Sequence, residues 1–121
     1  MNALHEYTTT EVSAAIGLTP RQLQWLDEKS IIQPRHIGHK RYYSTQEVRE
    51  ARLVAELRKK GLSLQKCRGI VKQVRNRLTY PDMYVVTDGK TAFVDTDSKR
   101  IVNIFKGSKI PMLLVFLPGT K

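Results

Sequence analysis

A guanidinium and two carboxamides stand within four positions of one another at Arg21, Gln22 and Gln24, directly behind Thr19-Pro20. An Arg offers paired donors that fit a guanine edge, and a Gln offers a donor and an acceptor that fit an adenine edge. A second group follows at His39, Lys40 and Arg41, beside Tyr42 and Tyr43, a basic and aromatic run suited to phosphates. Trp25 leaves two readings open: its indole N–H donates to a phosphate, or its ring packs between a helix and the hairpin. Bond-breaking chemistry has no comparable basis. There is no nucleophile–base pair, no phosphate-cradling Gly loop and no cluster of carboxylates, and Asp95 and Asp97 read as turn and cap residues. His36 and His39 lack a third ligand nearby. Neither an enzyme, a metal site nor a cofactor is expected.

The charge agrees with an anionic partner. The 121 residues carry a formal net charge of +10 and a pI near 10.0, a balance that most often marks a nucleic-acid or anionic-surface binder. The excess is uneven: residues 1–78 hold 15 Lys+Arg against 7 Asp+Glu, and residues 79–121 hold 6 against 4. The first part is therefore the expected anion-binding part. Cys67 is the single cysteine, which excludes an intrachain disulfide and fits a reducing cytoplasm. The start, MNALHEYTTTEV, lacks the apolar run of a signal peptide, and Met112–Leu117 is far too short to span a bilayer. The expected location is the cytoplasm, at the nucleoid, with no membrane partner.

The elements that must hold these side chains are legible from their boundaries. Thr8-Thr9-Thr10-Glu11 reads as a capping box, followed by Val12, Ala15 and Ile16 at helical spacing and Gly17 as the stop. The free N–H groups at Thr8-Thr9 suit a phosphate. Thr19, Pro20 and Gln22 repeat the start signal for a helix over 20–29. Its Leu23 and Leu26 face inward, and Arg21, Gln22 and Gln24 face outward. Ile31-Ile32 reads as a strand entering the core. Residues 34–43 read as a two-stranded hairpin with its tip near Ile37-Gly38. Ser44-Thr45-Gln46-Glu47 opens a third helix to about Lys60, with Val48, Leu53, Val54 and Leu57 inward, and Gly61 follows it. Ser63 caps a fourth helix to about Leu78, whose polar face carries Lys66, Arg68, Lys72, Arg75 and Arg77 and no acid. That face reads either as solvated or as a flank lying near phosphates. Pro81 ends the helical part.

The composition then shifts toward strands. Met83–Val86 and Thr91–Asp95 flank Asp88-Gly89 as a hairpin. Lys99–Lys106 reads as a helix capped by Asp97 or Ser98, and Ile110–Leu117 as a final strand covered on both faces. Some forty residues bury too little on their own, so this ββαβ unit should dock on the first part or on a second copy. The expected class is α+β: a winged helix-turn-helix of four helices and a two-stranded wing over 1–79, then a small ββαβ unit over 80–121.

Several motifs occur in the order found in one family. Tyr7-Thr8 with Glu11-Val12, the run Gly17 to Trp25, Asp27-Glu28 with Ile31-Ile32 and Pro34, Gly38 with Arg41, Tyr43 and Ser44, and Leu57-Arg58 with Gly61 to Leu64 together resemble the MerR transcriptional regulators. The resemblance runs from about Tyr7 to Leu78. It implies double-stranded DNA binding, with the second helix in the major groove and the wing on the backbone or minor groove. Tyr43 is the wing tyrosine nearer the family position, and Arg41 is the first choice for phosphate or minor-groove contact. Gln24 stands where an Arg is usual, and Trp25 where a Tyr is usual. Members usually continue into a long helix that forms an antiparallel coiled-coil dimer, and Pro81 stands before any such helix here. The coiled coil and the family's ligand pocket are not carried over.

The expected DNA contacts are Thr8, Thr19, Arg21, Gln22, Gln24, Trp25, His39, Lys40, Arg41 and Tyr43. One helix and one wing cover about one half-site, so a homodimer is expected. Its contact would be drawn from Ile101, Ile104, Phe105, Met112, Leu114 and Phe116. The leading expectation is a sequence-specific dimeric regulator. An excisionase-like architectural factor that bends DNA, and an antitoxin-type interaction module, are the alternatives.

Overall fold

The computed structural model describes residues 6–78 and 82–119. The expected break at Thr79-Tyr80-Pro81 lies outside them. The order is β1 (Glu6–Thr8), α1 (Thr9–Ile16), α2 (Pro20–Glu28), β2 (Arg35–Ile37), β3 (Lys40–Ser44), α3 (Thr45–Lys59), α4 (Leu64–Val74), a 3-10 turn (Arg75–Arg77), β4 (Met83–Thr87), β5 (Ala92–Asp95), α5 (Ser98–Gly107) and β6 (Leu113–Leu117). The class is α+β.

The start signals act as their chemistry requires. Thr8, Thr19 and Ser44 each form a reciprocal capping box, with Glu11, Gln22 and Glu47, and each cap is worth about 1 kcal/mol. Gly17 closes α1 at φ +80, a left-handed conformation that an L side chain adopts at a cost.

Two local expectations change. Ile31-Ile32 is not a strand. Ser30 turns left-handed at φ +60, and the N–H groups of Ile31 and Ile32 both donate to the Leu26 carbonyl, at 2.9 and 3.3 Å. The pair thus folds back over the end of α2 and drops into the core, 3 % and 1 % exposed. The wing gains a third strand, since β1 pairs antiparallel with β3 in the order β1-β3-β2. Three residues abutting a helix cap are too few to show a period of two.

The second sheet has the order β5-β4-β6, antiparallel throughout. Met83, Val85, Val115 and Leu117 join Leu53, Leu57, Ile70 and Val74 in one buried cluster, so the ββαβ unit docks on α3 and α4. Gln73 of α4 pins the β4–β5 hairpin: its Nε2 donates to the Lys90 carbonyl at 2.7 Å, and its Oε1 accepts from the Ala92 N–H at 2.9 Å. The other sheet face is only partly covered, by α5 over β4 and β5. The last strand begins at Leu113 rather than Ile110, and it is an edge strand with alternating burial. Val115 and Leu117 are buried, whereas Leu114 and Phe116 are 36 % and 46 % exposed, so coverage on both faces was the wrong expectation. Ile101, on the inner face of α5, is 3 % exposed. It has no surface to offer a partner and is withdrawn from the expected dimer contact.

Three charged residues are buried among those described, Asp27, Arg49 and Glu50, and apolar spacing alone gave no warning of them. Glu50 lies on the inward stripe of α3 with Leu53, Val54 and Leu57. Its Oε2 accepts from Arg75 Nε at 3.1 Å and from Gln46 Nε2 at 3.1 Å. Arg75 also donates to the Ile31 carbonyl at 2.7 Å, which ties the 3-10 turn to the exit of α2. Arg49 donates to the Pro118 carbonyl at 2.7 Å and so holds the chain just beyond β6.

Candidate nucleic-acid interface

The outward face of α2 is built by its own start. With Thr19 as cap and Pro20 in the first turn, Leu23 and Leu26 fall on the core side, and Arg21, Gln22 and Gln24 fall on the exposed side. Arg21 makes no hydrogen bond or ion pair to any other described residue, so its full donor fork is available. The glutamines are less free. Gln22 Oε1 accepts from the Thr19 N–H at 2.8 Å, which closes the capping box and leaves the amide nitrogen as the main outward group. Gln24 Nε2 donates to Glu28 Oε2 at 3.0 Å on an exposed surface. A bidentate pair with adenine needs both ends of the amide, so Gln24 must release Glu28 to make one.

Trp25 packs beside α3 and α4 rather than between α2 and the hairpin. It is 36 % exposed, and it lines a hollow of about 90 Å³ with Leu18, Leu26, Val54 and Leu64. Lys29 Nζ sits 5.7 Å from its ring centroid, within cation–π range.

The wing is fastened to α2 through one carboxylate. Asp27, 9 % exposed, receives Arg41 Nε at 2.7 Å and has His36 Nε2 2.5 Å from the same Oδ2. His36 and Arg41 are direct cross-strand partners, so one face of the hairpin presents both to one acid. The turn at Gly38-His39 takes φ +60 at Gly38, the pattern of a two-residue hairpin with glycine first. Arg35 is held by Glu6 through Nε at 3.0 Å and stacks over the Tyr42 ring at 5.4 Å.

These ties sort the expected wing contacts. His39 and Lys40 are exposed at the tip with no partner among the described residues. Arg41 is half-committed, because Asp27 takes its Nε and leaves the terminal nitrogens. Tyr43 is not on the surface: it is 0 % exposed in the core, and burial pushes its hydroxyl up to about 12. Strand alternation puts Tyr42 on the accessible side instead, so Tyr43 is withdrawn as a DNA contact. Tyr42, His39, Lys40 and Arg41 line one cleft of about 380 Å³ with Thr8, Thr9 and Thr10. The first turn of α1 and β3 with its hairpin turn therefore share a concavity of cations, hydroxyls and helix N–H groups, a combination that suits a phosphate.

The fourth helix stops at Val74 rather than near Leu78, and the basic face expected of it divides between α4 and the 3-10 turn that follows. Arg75 is engaged inward with Glu50, while Arg68, Lys72 and Arg77 are exposed. The anchoring of the wing by Asp27 was not among the expectations from sequence. The available signal was an acid on the α2 face that carries Leu23 and Leu26, next to a hairpin rich in cations.

Two helices joined at a left-handed glycine, followed by a wing fastened to the second helix, define a winged helix-turn-helix. The model of the MerR HTH family regulatory protein matches residues 7–74, and the chain belongs to this family. It is accordingly a DNA-binding transcription regulator, and double-stranded DNA is its partner. No curated protein matches the chain significantly. Among the described residues no helix is long and apolar enough to cross a membrane.

Proposed function

We propose that this regulator reads a specific DNA sequence with α2 in the major groove, and that two copies bind two half-sites. The observation that carries the reading is the unengaged Arg21 on the first turn of α2, beside Thr19, Gln22 and Gln24. Arg21 pairs with a guanine, one glutamine with an adenine, and Trp25 flanks the groove wall. The cleft between α1 and the wing takes a backbone phosphate through Thr8, the first-turn N–H groups, His39, Lys40, Tyr42 and the free nitrogens of Arg41. Specific binding usually needs more bases than one helix spans, which is why two copies are invoked.

Selection of bound sequences from a random duplex pool tests this reading. The expected product is a motif with two-fold symmetry. Lys40→Ala should weaken binding to all sequences alike and reduce the slope of log K against log salt by about one unit. A pool that yields no enriched motif would overturn sequence-specific reading.

A further inference from the structure

The β4–β5 hairpin lies beyond residue 74, where the family match ends. Its tip, Asp88-Gly89-Lys90, rests on the start of α4. A methyl group built on Gly89 would lie 3.7 Å from Leu62 Cδ2 and 3.9 Å from Lys66 Nζ. Gln73 stands seven residues beyond Lys66, on the same face of α4. It holds the hairpin backbone at Lys90 and Ala92, so the tip is fixed to the helix. Lys66 and Lys90 are exposed, and neither ammonium has a hydrogen bond or ion pair to a described residue. Asp88 is engaged inside the turn: its Oδ1 accepts from the Lys90 and Thr91 N–H groups, both at 2.8 Å.

Helix geometry places this pair of lysines relative to α2. At about 100° per residue, Asp27 and Trp25 point about 200° apart. They therefore lie on opposite flanks of the outward stripe of Arg21 and Gln24. Asp27 receives the wing. On the other flank, Gln22 and Trp25 share a hollow with Leu64, which sets the start of α4, and with it the hairpin tip, beside α2. A helix lying in a major groove has a phosphate strand along each flank. The cleft between α1 and the wing meets one strand, and the α4 flank faces the other.

We propose that the β4–β5 hairpin is a further DNA-contact element, with Lys90 and the adjacent Lys66 on a backbone phosphate of the strand that the wing does not reach. This rests on α2 lying in the groove, as proposed above. Double-stranded DNA, the partner that the family membership gives, is the occupant. Two unengaged ammonium groups offer a phosphate charge and donors, without the fixed fork that reads a base. The hairpin thus widens the footprint of one copy and adds no sequence information.

The test measures binding of the full chain to a duplex carrying the selected motif, or to a mixed-sequence duplex if no motif is selected, across salt concentrations. Lys90→Ala should lower the slope of log K against log salt by about one unit, and Lys90→Arg should keep it. Replacing phosphates one at a time by neutral methylphosphonates locates the contact. The parent should lose affinity at a phosphate to which Lys90→Ala is indifferent, on the strand opposite the one where Lys40→Ala is indifferent. Lys106→Ala removes another exposed cation of the same unit, on α5, and should leave the slope unchanged. The Lys90 carbonyl, not its side chain, binds Gln73, and unchanged circular dichroism would show that the variant folds. An unchanged slope for Lys90→Ala, an equal fall for Lys106→Ala, or no phosphate that separates the parent from Lys90→Ala would overturn the inference. Binding without sequence preference, with the slope still lowered by Lys90→Ala, would remove the α2 reading and keep the hairpin contact. A selected motif with an unmoved slope would do the reverse.

Discussion

Replacing Asp27 by Ala should loosen the wing and lower stability by an amount the geometry sets. Asp27 is 9 % exposed and accepts from Arg41 at 2.7 Å. A hydrogen bond to a charged group contributes roughly 1.5–3 kcal/mol when buried. The Arg41 side chain is 22 % exposed and can recover some hydration, while His36, at 49 %, adds little because water competes for it. The sum is about 2–3 kcal/mol, a large share of the roughly 5–15 kcal/mol typical of a domain. Asp27→Asn keeps the shape and one acceptor, so its loss should be about half. Urea unfolding of the parent, Asp27→Ala, Arg41→Ala and the double variant would give the coupling directly. DNA binding adds a second readout: the released Arg41 should steepen the salt dependence while sequence preference weakens. A coupling near zero, with Asp27→Ala within about 0.5 kcal/mol of the parent, would refute the clamp.

Further outcomes follow from the buried groups. Tyr43 titrates at about 12 because burial disfavours its charged form. The folded state therefore holds the proton longer than the unfolded chain, whose tyrosines titrate near ~10, and stability should fall as pH rises above ~10. Absorbance at 295 nm should show one tyrosine ionising late, and Tyr43→Phe should leave DNA affinity within about twofold. Glu50 has its carboxyl raised, with burial the largest cause and the Gln46 and Arg75 contacts opposing it. Arg75→Ala should then cost about 2–3 kcal/mol at neutral pH, since it strands a buried carboxylate beside a partner that was itself 39 % exposed. An acid raised in the folded state gains stability as pH falls through its folded value. Denaturant melts should accordingly show the deficit of Arg75→Ala shrinking toward acid pH, and Glu50→Gln costing less than Arg75→Ala.

Local chemistry made much of this molecule legible in its sequence. Thr8, Thr19 and Ser44 announce three helices because a cap and its third-position partner sit a fixed distance apart, and Gly17 and Gly38 mark turns that need a positive φ. The face carrying Arg21 and Gln24 follows from the same register. What stayed hidden depends on neighbours remote in sequence. Tyr42 and Tyr43 alternate, so one must face inward, but only the pairing of β3 with β1 and β2 decides which. Arg41 and Arg75 look like free cations until Asp27 and Glu50 come to meet them from other helices. The apolar run Ile110–Leu117 reads as a strand covered on both sides, yet α5 crosses β4 and β5 and leaves the last strand open.

The central claim is that Arg21 on α2 reads a base. Random-pool selection repeated with Arg21→Ala tests it most directly. The expected result is an otherwise unchanged motif that has lost its preference at one base pair in each half-site, a discrimination of about 1–3 kcal/mol. A variant that selects the parent motif with every position intact would contradict the assignment of α2 as the reading helix.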